Sequence, residues 1–271
     1  MRRPEDPLAP QPTAAAAGWI VPDWPAPPSV RALCTTRPGG VSEGSYASLN
    51  LGDHVGDLAE HVAANRARLA EAAGARPVFL RQVHGTDLHL LDADSADGIT
   101  ADACVSEAPG IACAVMVADC LPVLVCDADG TRVGAAHCGW RSLAGGVLER
   151  LCESFSEPLP VTRAQGPVEL MAWLGPCIGP QAFEVGDEVK AAFEAHAAEA
   201  AQCFRPGAVP GKWLADLPAL ARQRLRALGL SQIHGNDGSE GWCTVANPSR
   251  FFSFRRDGIS SGRFAALVWR V

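Results

Sequence analysis

Long apolar runs are missing from this 271-residue sequence. The best, Ile111 to Val117, is followed by Asp119 well short of the roughly 20 residues that a membrane-spanning helix needs. Clustered cations are also missing. The formal net charge is −7 and the pI near 5.5, and only Arg222, Arg224 and Arg226 gather, in a pattern that reads as the wet side of a helix. Phosphate neutralisation along a nucleic acid needs more than that, so no nucleic acid and no membrane are expected as partners. The start, Met1-Arg2-Arg3, is basic, but Pro4-Glu5-Asp6-Pro7 stands where a signal peptide would place its apolar region. A cytoplasmic location follows as the expectation. Ten cysteines are present, yet none forms a Cys-x-x-Cys pair, which excludes the usual zinc knuckles and thioredoxin-type motifs. With no secretion signal they read as reduced thiols, mostly small core residues.

With 48% apolar and 20% charged residues the chain is globular. Residues 1–28 are rich in Pro and Ala without periodicity and read as a flexible arm; residues 29–271 read as a single catalytic domain, because no later stretch has linker composition. Strand patterns lie at 30–37, 78–83, 111–118, 121–126, 131–137 and 263–271. Helix patterns lie at 58–73, 142–155, 187–200 and 216–228, the first opened by an Asp57/Glu60 capping box and stopped by Gly74. Strands and helices mix without strict alternation. The expected class is therefore α/β in the form of a mixed-sheet α+β sandwich, not a doubly wound parallel sheet.

Three chemically capable residues stand where an apolar strand gives way to Gly or Pro: His84, Cys120 and His137. If those strands share a sheet and a direction, their ends meet at one edge, where sites in α/β folds commonly lie. Two imidazoles and a thiolate make a three-ligand zinc set with an open fourth position. Spacings of 36 and 17 residues match no compact metal motif, so the alternative is three satisfied core polar groups. After His137 comes Cys138-Gly139-Trp140-Arg141-Ser142, with Ser142 as a candidate N-cap and Arg141 beside free helix N–H groups that suit phosphate or carboxylate. Gly258-Ile259-Ser260-Ser261-Gly262 has the Gly-x-Ser-x-Gly form but precedes a strand, and reads as a turn.

At these residues the sequence resembles the laccase-domain family, whose members go by the names multicopper polyphenol oxidase, purine nucleoside phosphorylase and peptidoglycan editing factor. The matching blocks include Thr36-Arg37-Pro38-Gly39-Gly40, Ser48-Leu49-Asn50-Leu51-Gly52, Gln82-Val83-His84-Gly85, Ala118-Asp119-Cys120, Ala136-His137-Cys138-Gly139-Trp140-Arg141 and Phe251-Phe252-Ser253-Phe254-Arg255-Arg256-Asp257-Gly258. The resemblance implies that His84, Cys120 and His137 bind a catalytic zinc, with copper as the other candidate. It implies phosphorolysis of adenosine, inosine, guanosine or methylthioadenosine, with adenosine deamination as a further reaction. Nucleoside and phosphate are then the partners of an expected monomer. Asp119 is assigned proton transfer, and Arg141 with Arg37 or Asn50 phosphate or ribose. A laccase mechanism needs His-x-His pairs for a trinuclear copper cluster, and none of the seven His forms one. Two other readings stand beside it. One is a metal-free hydrolase acting on an amide such as a cell-wall precursor, with Cys120 as nucleophile and His137 as base. The other is a binding module whose zinc is closed by Cys138.

Overall fold

A computed structural model describes residues 18–156 and 168–271. In chain order these form β1 (Val30–Cys34), α1 (Ala59–Ala73), β2 (Arg76–Phe79), β3 (Leu88–Leu91), β4 (Ala103–Ser106), β5 (Ile111–Val117), β6 (Leu121–Asp127), β7 (Val133–Cys138), α2 (Trp140–Gly145) and α3 (Val147–Ser154). The second part adds β8 (Leu170–Leu174), β9 (Glu184–Gly186), α4 (Asp187–Glu194), β10 (Phe204–Pro206), β11 (Lys212–Ala215), α5 (Leu217–Ala227), β12 (Gln232–Gly235), α6 (Phe254–Asp257) and β13 (Phe264–Arg270).

Two sheets carry the fold: a four-stranded one in the order β1-β13-β5-β2 and a six-stranded one in the order β12-β8-β6-β7-β4-β3. Their facing sides make one core, to which β5 gives Cys113, Val115 and Val117, β6 gives Leu124 and Cys126, and β13 gives Ala266 and Val268. The alternate residues face outward but are not wet. Ala112, Ala114 and Met116 of β5 pack with Leu69, Ala72 and Ala73 of α1, while Val123 and Val125 of β6 pack with Val147, Leu148 and Leu151 of α3. Side chains alternate strictly along a strand, so burial of both faces requires an uninterrupted apolar run. That is why β5 and β6 read as solid hydrophobic segments. A small antiparallel sheet, β10-β11-β9, flanks the helical side. The expected mixed-sheet sandwich is the observed architecture, in one domain.

Local boundaries differ where tertiary contacts override sequence signals. The strand expected over 78–83 is β2, which ends at Phe79. The helix expected over 142–155 is broken into α2 and α3, because Gly146 takes φ 101°, a left-handed conformation that favours glycine. Ser142 is not the N-cap; Gly139 is, and Ser142 lies buried inside α2. The helix expected over 187–200 ends at Glu194 and is followed by a 3-10 turn, Ala198–Cys203. At α1 the cap is Leu58 rather than Asp57. The Asp57 carboxylate is drawn into other bonds, accepting from Ser42 Oγ at 2.6 Å and Asn50 Nδ2 at 2.9 Å. Of the expected arm, residues 1–17 lie outside the described residues. Residues 18–28 correct the reading: Trp19 is buried and Ile20 pairs with Cys34, since an indole and an isoleucine gain more by covering the core than by remaining in water. Among the described residues no helix is long and apolar enough to cross a membrane.

Candidate metal centre

His84, Cys120 and His137 meet at one edge of the sandwich, but not by sharing a sheet as the sequence reading supposed. β2 and β5 run parallel in the four-stranded sheet, so the segments after them, carrying His84 and Cys120, leave at the same edge. β6 begins there in the other sheet, and its Leu121 lies opposite Cys138 at the end of β7. Cys120 therefore sits on the short connection that crosses from one sheet to the other, and His137 comes from the second sheet. The three residues meet as expected, but across two sheets rather than within one.

One potential ligand atom from each of the three lies within 4.8 Å of the others, and this is the group able to hold a metal ion among the described residues. Cys120 Sγ is 3.7 Å from His84 Nε2, and the two imidazole rings meet edge to face with centroids 4.8 Å apart. A tetrahedral zinc with Zn–N near ~2.0 Å and Zn–S near ~2.3 Å needs its nitrogen and sulfur ligands about 3.6 Å apart. The donor set and its spacing fit that ion. His137 is buried, Cys120 half-buried and His84 exposed, so the triad opens toward a cavity of about 740 Å³.

Asp102, which the sequence reading missed, organises this triad. It is fully buried and accepts four hydrogen bonds: from His137 Nδ1 at 2.8 Å and from the backbone N–H groups of Val83 at 3.1 Å, His84 at 3.0 Å and Gly85 at 2.7 Å. The first leaves His137 Nε2 for a metal; the other three hold the His84 turn. Burial pushes the Asp102 carboxyl up, but the bonds from His137 and from the Gly85 and Val83 N–H groups outweigh it and keep the group below the usual carboxylate range. A lone Asp inside Ile99-Thr100-Ala101-Asp102-Ala103-Cys104-Val105 was the available signal, because a buried carboxylate is costly unless it is paired.

Two non-glycine residues among those described have positive φ, His84 at 60° and Asp119 at 93°. The first belongs to the triad and the second adjoins it at Cys120, and both are held by carboxylate bonds. His84 is fixed through Asp102. Asp119 fixes itself, its Oδ1 accepting from Thr244 Oγ1 at 2.5 Å and its Oδ2 from the Arg255 N–H at 2.6 Å. Gly139 closes the triad from behind, with no room for a side chain.

The other expected site residues divide. Asp119 and Arg141 line the cavity. Arg141 lies over the Trp140 ring with 4.4 Å to its centroid, and among the described residues its guanidinium makes no hydrogen bond or ion pair. Arg37 and Asn50 are not on the cavity wall. Arg37 donates to the carbonyls of Ala47, Pro248 and Ser45 and stacks on Phe252. Asn50 is fully buried and holds Gly52, Asp57 and the Arg263 N–H. Both are committed to shaping loops, which corrects their assignment to ligand. Cys138 is excluded as a fourth ligand because alternation along β7 turns it to the opposite face from His137, among Leu143, Val147 and Leu148. Burial, then the Cys120 charge, pushes its thiol well up. His54 also stands at the cavity wall.

Charge in the triad is already separated without a metal. Burial pushes the Cys120 thiol up, but the His137 charge and hydrogen bonds from both imidazoles overcome it and bring it down to about 6. Burial pushes His137 down, yet the Cys120 charge and the Asp102 bond carry it up to about 9. Between these values the pair is thiolate and imidazolium. A metal needs the thiolate and a neutral imidazole, so binding must release the His137 proton. At pH 7.5 we expect about one proton released from this pair per ion, rising toward about two near pH 5, where the thiol is also protonated. Apparent affinity should therefore climb with pH and flatten above about 9. Calorimetry in buffers of different ionisation enthalpy measures the proton count; a value near zero at pH 7.5 would contradict the assigned charges.

The chain is similar along most of its length to known proteins of one family. A family model described as multi-copper polyphenol oxidoreductase laccase matches residues 31–271. A Pseudomonas aeruginosa protein named purine nucleoside phosphorylase PA4543 is 51% identical over 251 residues, covering 93% of this chain and 98% of the relative. Escherichia coli purine nucleoside phosphorylase YfiH is 48% identical over 254 residues, again covering 93% and 98%. Among solved structures, Neisseria meningitidis protein NMB0706 superposes with a TM-score of 0.85 at 47% identity, covering 93% of this chain and 98% of that one.

Proposed function

The chain belongs to the family described as multi-copper polyphenol oxidoreductase laccase, and on that premise we propose that it is a zinc-dependent purine nucleoside phosphorylase. The observation that carries the reading is a His-Cys-His group opening onto a cavity whose wall also holds Arg66, Arg81, Arg141, Arg255 and Arg263. In a chain of net charge −7, that concentration of guanidinium groups focuses a field that draws in an anion. The volume of about 740 Å³ lies in the range of small-molecule sites. The names of the relatives supply the substrate class. Oxidation across several coppers needs more donors than one group of three, and Met116, which also lines the cavity, turns its sulfur to Arg66.

His84, Cys120 and His137 would hold the zinc ion, which would supply Lewis acidity to the site. The protein's own groups do the rest. Arg141, unpaired and steadied by Trp140, receives the phosphate. A phosphate oxygen forms the bond to the ribosyl C1′ as the bond from C1′ to the base nitrogen breaks, and the departing base takes a proton. Asp119, at the wall beside Cys120, is the group assigned to relay that proton from solvent to the base, its carboxylate taking up one proton and passing it on. Deamination of adenosine belongs to the same proposal as a second reaction at the same centre.

Purified protein of measured metal content should release free base and ribose 1-phosphate from adenosine or inosine only when phosphate is supplied, and should stop after chelation. Arg141→Ala should raise the KM for phosphate roughly tenfold, the worth of one charge-assisted hydrogen bond, and Asp119→Asn should lower kcat by about tenfold or more. Base release independent of phosphate would overturn the reading, and unchanged turnover in Asp119→Asn would remove that residue's role. One observation favours a second reading: Asp102, His137 and Cys120 stand in the order of orienter, base and nucleophile of a cysteine hydrolase. Amide cleavage that survives chelation would support it.

A further inference from the structure

Beyond its share in the cationic wall of the cavity, Arg263 stands in a position that three separate features build. It precedes β13, and its side chain reaches the cavity that holds the triad. Three features fix it. Its backbone N–H donates to Asn50 Oδ1 at 2.8 Å, and Asn50 is itself fully buried and bonded on both ends of its amide. Its stem lies over Gly52, where a Cβ would come within 2.8 Å of Arg263 Cγ and 3.2 Å of its Cβ. Its Nη1 donates to the carbonyls of Ser261 at 2.7 Å and Gly262 at 3.1 Å. Nε and Nη2 are left without a protein acceptor among the described residues. The guanidinium thus presents one edge to its own loop and the other to the cavity, within electrostatic range of Cys120 and Asp119.

Carboxylates do not account for it. Asp119 spends its oxygens on Thr244 and Arg255, and Asp53, the other acid of the wall, pairs with Arg66. An arginine with two adjacent N–H donors held free in a cavity is shaped for a planar or tetrahedral oxyanion. Arg141 follows β7 of one sheet and Arg263 precedes β13 of the other. We infer that Arg263 is a second oxyanion-binding residue of this cavity, holding inorganic phosphate by Nε and Nη2 from the sheet opposite Arg141. This deepens the phosphorolytic reading and rests on it for the identity of the anion. Asn50, which the sequence placed on the ligand, acts one step behind, as a positioning residue for Arg263.

Arg263→Lys and Arg263→Ala, made in the full chain and matched to wild type in metal content and melting temperature, test this. Each should raise the KM for phosphate roughly tenfold or more, since lysine cannot reproduce a paired-donor contact, while the KM for nucleoside stays within about twofold. Gly52→Ala, which retains the guanidinium but pushes its stem aside, should move the phosphate KM in the same direction. Titration calorimetry of inorganic phosphate without nucleoside should show the same loss of affinity. A phosphate KM and calorimetric affinity unchanged in Arg263→Ala would overturn the inference, as would a rise in both KM values by equal factors. If wild type cleaves nucleosides without phosphate, the phosphorolytic reading falls, and the calorimetric titration still decides whether Arg263 binds an oxyanion.

Discussion

Gly139→Ala should leave the fold standing and empty the metal centre. At this position φ is −65° and ψ 160°, values that any residue adopts, so the substitution meets no backbone strain. The obstacle is space. A Cβ on residue 139 would lie 2.6 Å from His84 Cδ2, 3.1 Å from Cys120 Sγ and 3.3 Å from His84 Nε2. Two of the three ligands would have to move, and a shift near ~1 Å in a catalytic group can cost on the order of a hundredfold in rate. We expect metal content to fall far below one ion per chain and turnover to drop by about a hundredfold or more. Thermal unfolding should change little, because α2 can begin at an alanine. Elemental analysis beside a melting curve separates the two effects. Full metal occupancy in Gly139→Ala would mean that the ligand atoms do not hold the ion where this geometry places them.

Asp102 should prove the most sensitive acid in the chain. It satisfies four donors from two sheets, and no nearby group could replace it without rebuilding the His84 turn. Asp102→Ala leaves those donors buried and unmet, a loss expected on the order of 3–5 kcal/mol. Asp102→Asn keeps the shape but points an NH2 at N–H donors. It should lower metal affinity by roughly 10–100-fold, because the His137 ring loses its fixed tautomer. The pH dependence carries a sign that checks the charge assignment. The Asp102 carboxyl is depressed in the folded protein, so its contribution to stability is present above about pH 4 and disappears as pH falls through the folded value. The acid limb of the stability curve should flatten in Asp102→Asn. Denaturant titrations between neutral pH and pH 3 would reveal it; an unchanged limb together with unchanged metal affinity would show that Asp102 only fills space.

The liganding residues were readable because each stands at a break in an apolar segment, where a polar side chain is conspicuous. Arg141 was readable for the same reason, through the Trp-Arg step beyond His137. The errors share one cause. Arg37 and Asn50 belong to motifs that look functional, yet their polar groups are consumed by other parts of the protein, and Arg263, the residue we assign to the ligand, is marked by no local pattern. Ser142 and Asp57 have the composition of helix caps. A buried packing position claims one, and Ser42 with Asn50 claims the other.

Composition and periodicity by themselves determined the layered architecture: β5 throughout and β6 from Leu121 to Cys126 are apolar, so both of their faces had to be covered, and only a stack of sheets between helices does that. They also determined which residue types could bind a metal. What tertiary structure alone decided is which of those residues meet. β2 and β5 end together because they pair in parallel, and His137 joins them from a different sheet only because the chain crosses between sheets at Cys120. Register across a sandwich depends on contacts between segments tens to hundreds of residues apart. No local pattern encodes such contacts, and so Asp102 and Arg263 emerged only once the strands were in place.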